Sequence, residues 1–174
     1  SDLSVGDVVI TELMPDPVQA VDYRGEWVEL YNASAATINL KGLILGGAGD
    51  SGATIAKDIF VAPSTYALLA VRSNSSQNGG MANVDYQYSY FEMRMDQHTD
   101  TVSISNGSTT IDYVSYNTNT VGGDFPPTAG VSLTLSSAQL DASSNDNAGA
   151  WCPSTGTSGS GDGGTPGSAN NGCL

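Results

Sequence analysis

Apolar and polar residues alternate in short runs along most of this chain. The stretch "GEWVELYN" (25–32) puts Glu26, Val28 and Leu30 on one side of an extended backbone and Trp27, Glu29 and Tyr31 on the other. A segment with two such faces reads as one strand of a sheet. Runs of the same kind recur between turn signals at 7–13, 26–32, 38–45, 57–62, 65–72, 84–91, 100–106, 109–116 and 130–136, which predicts an all-β chain. No window carries a helical period worth assigning; "SSAQLDASSNDNAG" (136–149) holds one turn at most. Asn106-Gly107 between two runs predicts a hairpin whose central positions both need positive φ. Gly- and Asn-rich stretches at 46–52, 73–83 and 117–130 fit loops at the ends of a sandwich. In the 26–32 strand, Val28 and Leu30 are expected inside. Trp27 and Tyr31 are expected on the outer face or a loop, and Glu29 as a structural or loop-anchoring carboxylate.

At 174 residues the chain suits one domain, 1–174, with a core at about 7–151 and a C-terminal strap at 152–174. Hydrophobic residues make up 39% and charged residues 13%, so there is enough apolar material for a core and the composition is not that of a disordered chain. Lys and Arg number 5 against 18 Asp and Glu, a net charge of −13. That sign repels phosphates and anionic lipid, which argues against nucleic acid as a partner, and it attracts divalent cations in general. Solubility is the plainer reading of such acidity.

Cys152 and Cys173 enclose a Gly- and Ser-rich segment that cannot hold itself in place. A disulfide between them would stabilise by about 3 kcal/mol and implies an oxidising compartment, hence a secreted, cell-surface or periplasmic protein. One His and no CxxC argue against structural zinc. No run approaches a membrane span, so no membrane insertion is expected, and the chain reads as a mature or excised domain that begins after a removed leader.

The motifs, taken in order, resemble those of the lamin tail domain, an immunoglobulin-like β-sandwich found at the end of nuclear lamins and widely in bacterial secreted proteins. "VVITELMPDP" resembles the opening strand, and "GEWVELYNASAATINLKGLIL" the block in which a strand ending in Asn turns into a Leu-x-Gly strand. "FVAPSTYALLAV" resembles the segment with a proline turn, and "DTVSISNGSTTIDYVSYN" the central hairpin. "GVSLTLS", "AWCPS" and "GTPGSAN" resemble the closing part, so the likeness runs over roughly residues 7 to 170. It implies an immunoglobulin-like antiparallel sandwich. The acidity, the Cys pair and the lack of basic patches favour the bacterial extracellular branch, which implies a non-catalytic monomer that binds or supports an unknown protein or polysaccharide.

Several clusters offer chemistry to weigh against that reading. Glu12, Asp16, Asp22, Glu26 and Glu29 surround the opening loop, and hard oxygens gathered on a loop suit Ca²⁺, although no EF-hand spacing is present. The simpler account gives Glu12 and Glu29 structural hydrogen bonds or a pairing with Arg24. Asp141, Asn145, Asp146 and Asn147 evoke a calcium loop without its Gly and bidentate Glu, and read better as Asx turns. His98, between Asp96 and Asp100, has the surroundings of an acid or base, yet no nucleophile or metal motif accompanies it. Two carboxylates held in a cleft would allow glycosidase chemistry, the least favoured reading. Tyr86, Tyr88 and Tyr90 share one face of 84–91 and, with Trp27, are the candidate binding aromatics. No cofactor is expected, Ca²⁺ being the one alternative.

Overall fold

Short β-branched and aromatic runs, cut by Gly, Asn and Ser, leave each strand only a few residues long. The structure, a computed structural model, describes residues 3–173. The strands are β1 (Val8–Met14), β2 (Trp27–Asn32), β3 (Ile38–Asn39), β4 (Ile44–Gly46), β5 (Ala53–Thr54), β6 (Phe60–Val61), β7 (Tyr66–Ala70), β8 (Tyr86–Gln87), β9 (Thr99–Ser105), β10 (Thr110–Asn117), β11 (Leu133–Leu135) and β12 (Trp151–Pro153). A single helical turn, α1 (Asp22–Gly25), and a 3-10 turn at Ala148–Ala150 complete the regular structure. The first sheet runs β12-β11-β1-β2-β7-β8, the second β10-β9-β4-β5, and β3 pairs with β6 apart from both. Among the described residues every pairing between named strands is antiparallel except β7 with β8. This is the immunoglobulin-like β-sandwich that the sequence predicts.

A bulge in β1 sets what the first sheet presents. Ile10 pairs with Leu30, and the next paired residue is Glu12, opposite Glu29. Thr11 is therefore the extra residue, and it resets the alternation. Ile10 and Leu13 both face the interior with Val28 and Leu30, while Glu12 and Met14 join Glu29 and Trp27 on the other side. Inside, these side chains meet Leu45, Val102, Ile104, Val114 and Tyr116 of the second sheet. Each fully buried Leu, Ile or Val contributes about 1.5–3 kcal/mol over leaving it in water.

The outer face of the first sheet is buried too, which the alternation does not anticipate. Trp27 is 2% exposed, packed with Met14, Leu68, Ala70 and Met81. Gly164 of the C-terminal strap comes so close that a Cβ there would stand 3.0 Å from the indole. Trp27 therefore lies beneath a third layer, whereas Tyr31 stays half-buried against Tyr66 with ring centroids 5.0 Å apart. The Cys152–Cys173 disulfide is formed and closes the strap back onto β12.

Three further elements depart from the sequence pattern. The 38–45 run bends at Gly42, whose φ of +84° needs glycine, so β3 and β4 enter different sheets. The 84–91 run is strand only at Tyr86–Gln87, because turns follow. At the 106–107 hairpin only Gly107 has positive φ; Asn106 instead accepts hydrogen bonds on its side chain from the amides of Ser108 and Thr109. The loop is thus four residues long, between the paired Ser105 and Thr110.

Candidate functional site

Glu12 and Glu29 face each other across β1 and β2, and both are fully buried. The Glu12 carboxylate accepts from the hydroxyls of Ser132 and Thr134, and from the Thr165 amide and hydroxyl, both at 2.9 Å. Glu29 accepts from the Thr11 hydroxyl at 2.7 Å and the Gly167 amide at 2.8 Å. The partners on the far side all belong to "TPGS" in the strap, so the two glutamates are what the third layer is tied to. Asn170 extends the tie by donating to the carbonyls of Thr11 and Leu135. Burial pushes both carboxyls above the usual range, Glu29 further because Glu12 is beside it. More donors are aimed at Glu12 than at Glu29, and each favours the charged form, which offsets more of the upward push at Glu12.

The other three opening-loop carboxylates go elsewhere. Glu26 is fully buried and accepts from the Met95 amide at 2.9 Å, while its Oε1 lacks a partner; burial pushes its pKa to about 9. Asp22 accepts from the Gln97 side chain at 3.1 Å. Asp16 is half-buried, and burial and then Asp22 raise its pKa. The sheet thus divides the set, Glu12 and Glu29 lying under the strap and Glu26 reaching the Met95 backbone. Among the described residues no group of three or more His, Cys, Asp or Glu is arranged to hold a metal ion. Arg24 pairs with none of them and lies over the Tyr23 ring, 5.4 Å from its centroid.

In the 141–147 segment Asp141 and Asn147 hold local turns, and Asn145 ties the loop to the sheets. Asp141 accepts from Ser143 and Ser144, which hold its pKa down to about 2. Buried Asn145 donates to Asp112 at 2.7 Å and to the Ile10 carbonyl. Asn147 caps the 3-10 turn, and Asp146 is exposed. Asp112, a buried acid the sequence pattern did not single out, is pushed up to about 7 by burial. The signal for it was its place in β10, in phase with Val114 and Tyr116.

Past Gln87 the chain leaves the strand, and the three tyrosines part: Tyr88 is buried, while Tyr86 and Tyr90 are partly buried. Tyr88 is core, and Tyr86 donates to the Thr54 carbonyl and accepts from the Ala56 amide. Only Tyr90 reaches a surface cluster: its ring is 6.4 Å from Tyr23 and 6.3 Å from Phe91, both edge-on. Phe91 is 89% exposed. Beside this rim opens a cavity of about 570 Å³ lined by Asp22, Asp50, Tyr90, Arg94, Asp96, His98 and Asp100, among others. His98 is exposed on its edge, with the Asp96 carboxylate accepting from its backbone amide. Those two amide bonds, from His98 and Thr99, hold the Asp96 carboxyl below its usual range.

The strands, the Asn-terminated β2 and the central hairpin agree with one further finding: a family model described as Lamin Tail Domain matches residues 2–118. The chain belongs to the lamin tail domain family. In this lamin tail domain the matched part ends with β10, short of the strap that the closing motifs had suggested was included. Residues beyond it still complete the first sheet, as β11 and β12. No curated protein matches the chain, and no solved structure does.

Proposed function

We propose that this lamin tail domain is a non-catalytic binding module that works in an oxidising, extracellular setting and engages another macromolecule through the end bearing Tyr23, Tyr90 and Phe91. The observation that carries the reading is the aromatic cluster itself. Large apolar rings left in water and stacked edge-on are the composition of an interface core, and such residues carry most of the energy of protein interfaces. The family and the immunoglobulin-like fold support a non-enzymatic module. Glu12 and Glu29, the paired acids a glycosidase reading would need, lie beneath the strap and are saturated with internal donors. The formed disulfide supports the extracellular setting. Among the described residues no helix is long and apolar enough to cross a membrane.

The test is an array of polysaccharides and peptides probed with the parent protein and with Tyr90→Ala and Phe91→Ala. Retention of at least one ligand by the parent, lost in both variants while their far-UV spectra are unchanged, is the expected result. An array with no ligand, or ligands held equally by the variants, contradicts the reading. Ester, phosphoester and glycoside substrates should show no turnover above background. Chelation by EDTA should leave the thermal midpoint where it is, because a native-state ion at 100 times its Kd would add about 2.7 kcal/mol.

A further inference from the structure

The two sheets end in strands of very unequal length. In the first sheet the terminal strands β12 and β8 have 3 and 2 residues; in the second, β5 has 2 and β10 has 8. A short edge strand offers little backbone to another chain, whereas a long one is a template for pairing. The inner edge of β10 is occupied. Asp112, Val114 and Tyr116 lie opposite β9 in phase with Thr118, whose amide donates to the His98 carbonyl. Alternation then turns the N–H and C=O of Tyr113, Ser115 and Asn117 outward. Chain covers both ends of that outer edge: the Gly6 amide donates to the Ile111 carbonyl, and the amides of Asp124 and Phe125 to the Asn117 carbonyl. Between them, among the described residues, the outward backbone groups of Tyr113 and Ser115 have no partner. Both residues are exposed, and from Asp112 onward β10 holds no Lys, Pro or bulge, the usual means of blunting an edge.

A second observation is independent of the backbone. A cavity of about 500 Å³ opens beside the first half of β10, lined by Val5, Ile111, Asp112, Tyr113, Asp141 and Asp146 among others, with no Lys, Arg or His among the described lining residues. Asp112 is 3% exposed, and its Oδ1 lacks a hydrogen-bond partner while its Oδ2 accepts from the Ile10 amide and the Asn145 side chain. The serine donors of Asp141 hold its carboxyl at about 2, so it is ionised at neutral pH. The cavity thus combines apolar walls with acids and no cation to meet them.

We infer that the outer edge of β10 takes up an extended polypeptide segment as an added strand, its main chain pairing with Tyr113 and Ser115 and a flanking lysine or arginine reaching into the cavity at Asp112 and Asp141. Main-chain bonds supply affinity with little regard to sequence, and the cavity supplies the choice of a basic residue. A second copy of this chain fits less well. Two β10 edges could pair about Val114, but each chain carries a net charge of −13 and sets the same acids against its partner. The surface shares no residue with the end bearing Tyr23, Tyr90 and Phe91, so the two assignments stand or fall separately.

The probe is a labelled valine- and threonine-rich peptide ending in lysine, titrated into the intact chain and followed by amide hydrogen exchange. In the free chain the Tyr113 and Ser115 amides should exchange freely, and the bound peptide should slow both. Methylating alternate peptide nitrogens should abolish binding when they lie on one edge of the peptide and spare it when they lie on the other. Replacing the terminal lysine by glutamate should weaken binding about tenfold. Ser115→Pro, which removes an outward N–H and no bond to β9, should abolish binding, whereas Ser115→Ala keeps that N–H and should bind as the parent does. No binding, protection of both amides in the free chain, equal binding of the two methylated peptides, or equal binding of the lysine and glutamate peptides overturns the inference. So does a dimer that Ser115→Pro dissolves, because a second copy would then hold the edge. Should Ser115→Pro fail to fold, the methylated peptides decide the matter.

Discussion

At the scale of single residues, the chain spends its polar side chains on its own backbone. Asn32, Asn74 and Asn106 each precede a serine by two positions, and each accepts from that serine's amide and hydroxyl. Asp141 does the same with Ser143. An N-x-S spelling is here the spelling of an Asx turn. The Glu12 carboxylate does this over 153 positions of sequence, so Glu12→Ala, which strands the Ser132, Thr134 and Thr165 donors, should lower unfolding stability by about 3 kcal/mol in urea denaturation. Glu26 predicts a pH effect. Its folded pKa of about 9 lies above the ordinary 4.5, so the folded chain holds a proton the unfolded chain has lost. That contribution is complete below about pH 4.5 and drains away as pH climbs through 9. Asp112 acts in the same sense between its ordinary 3.8 and about 7. The urea midpoint should therefore fall from pH 5 to pH 9, and Glu26→Gln should flatten the fall; a midpoint that rises over that range contradicts the assignment. Alternation gave the side of the strand on which Glu29 stands, with Trp27, and left open whether it was a structural carboxylate or a metal ligand. Its partner Gly167 was not legible, because a contact over 138 positions of sequence leaves no local pattern.

At the scale of elements, period-two alternation located the long strands and misjudged what covered them. Val28 and Leu30 face the core as the pattern requires. Trp27 was expected at the surface because alternation knows two faces of a sheet and not a third layer laid over one of them. The bulge at Thr11 is equally silent in the sequence, yet it alone aligns Glu12 with Glu29. Alternation assigns Tyr86, Tyr88 and Tyr90 one face of a strand, but the strand beside β7 ends at Gln87 and Tyr88 enters the core. The strap itself has few apolar anchors, so its attachment rests on hydrogen bonds, through Glu12, Glu29, Asp162, Asn170 and backbone pairs with Gly130 and Ser132, and on the disulfide. Cys152→Ser with Cys173→Ser should lower stability by about 3 kcal/mol by freeing the 21-residue separation in the unfolded chain, read from a lower urea midpoint together with a steeper slope.

At the scale of the whole molecule, Glu12 and Glu29 are buried beneath the strap, and the proposed binding role is assigned instead to the end bearing Tyr23, Tyr90 and Phe91. That conclusion stands on the claim that the two facing glutamates are clamps for a third layer and not ligands for a substrate or an ion. Amide hydrogen exchange at Thr165 and Gly167 tests it directly, because the hydrogen bonds of these two amides go to the carboxylates of Glu12 and Glu29. Both amides should be protected in the parent, with Thr165 losing protection in Glu12→Ala and Gly167 in Glu29→Ala. Free exchange at both positions in the parent, or protection that survives the substitutions, would contradict the account.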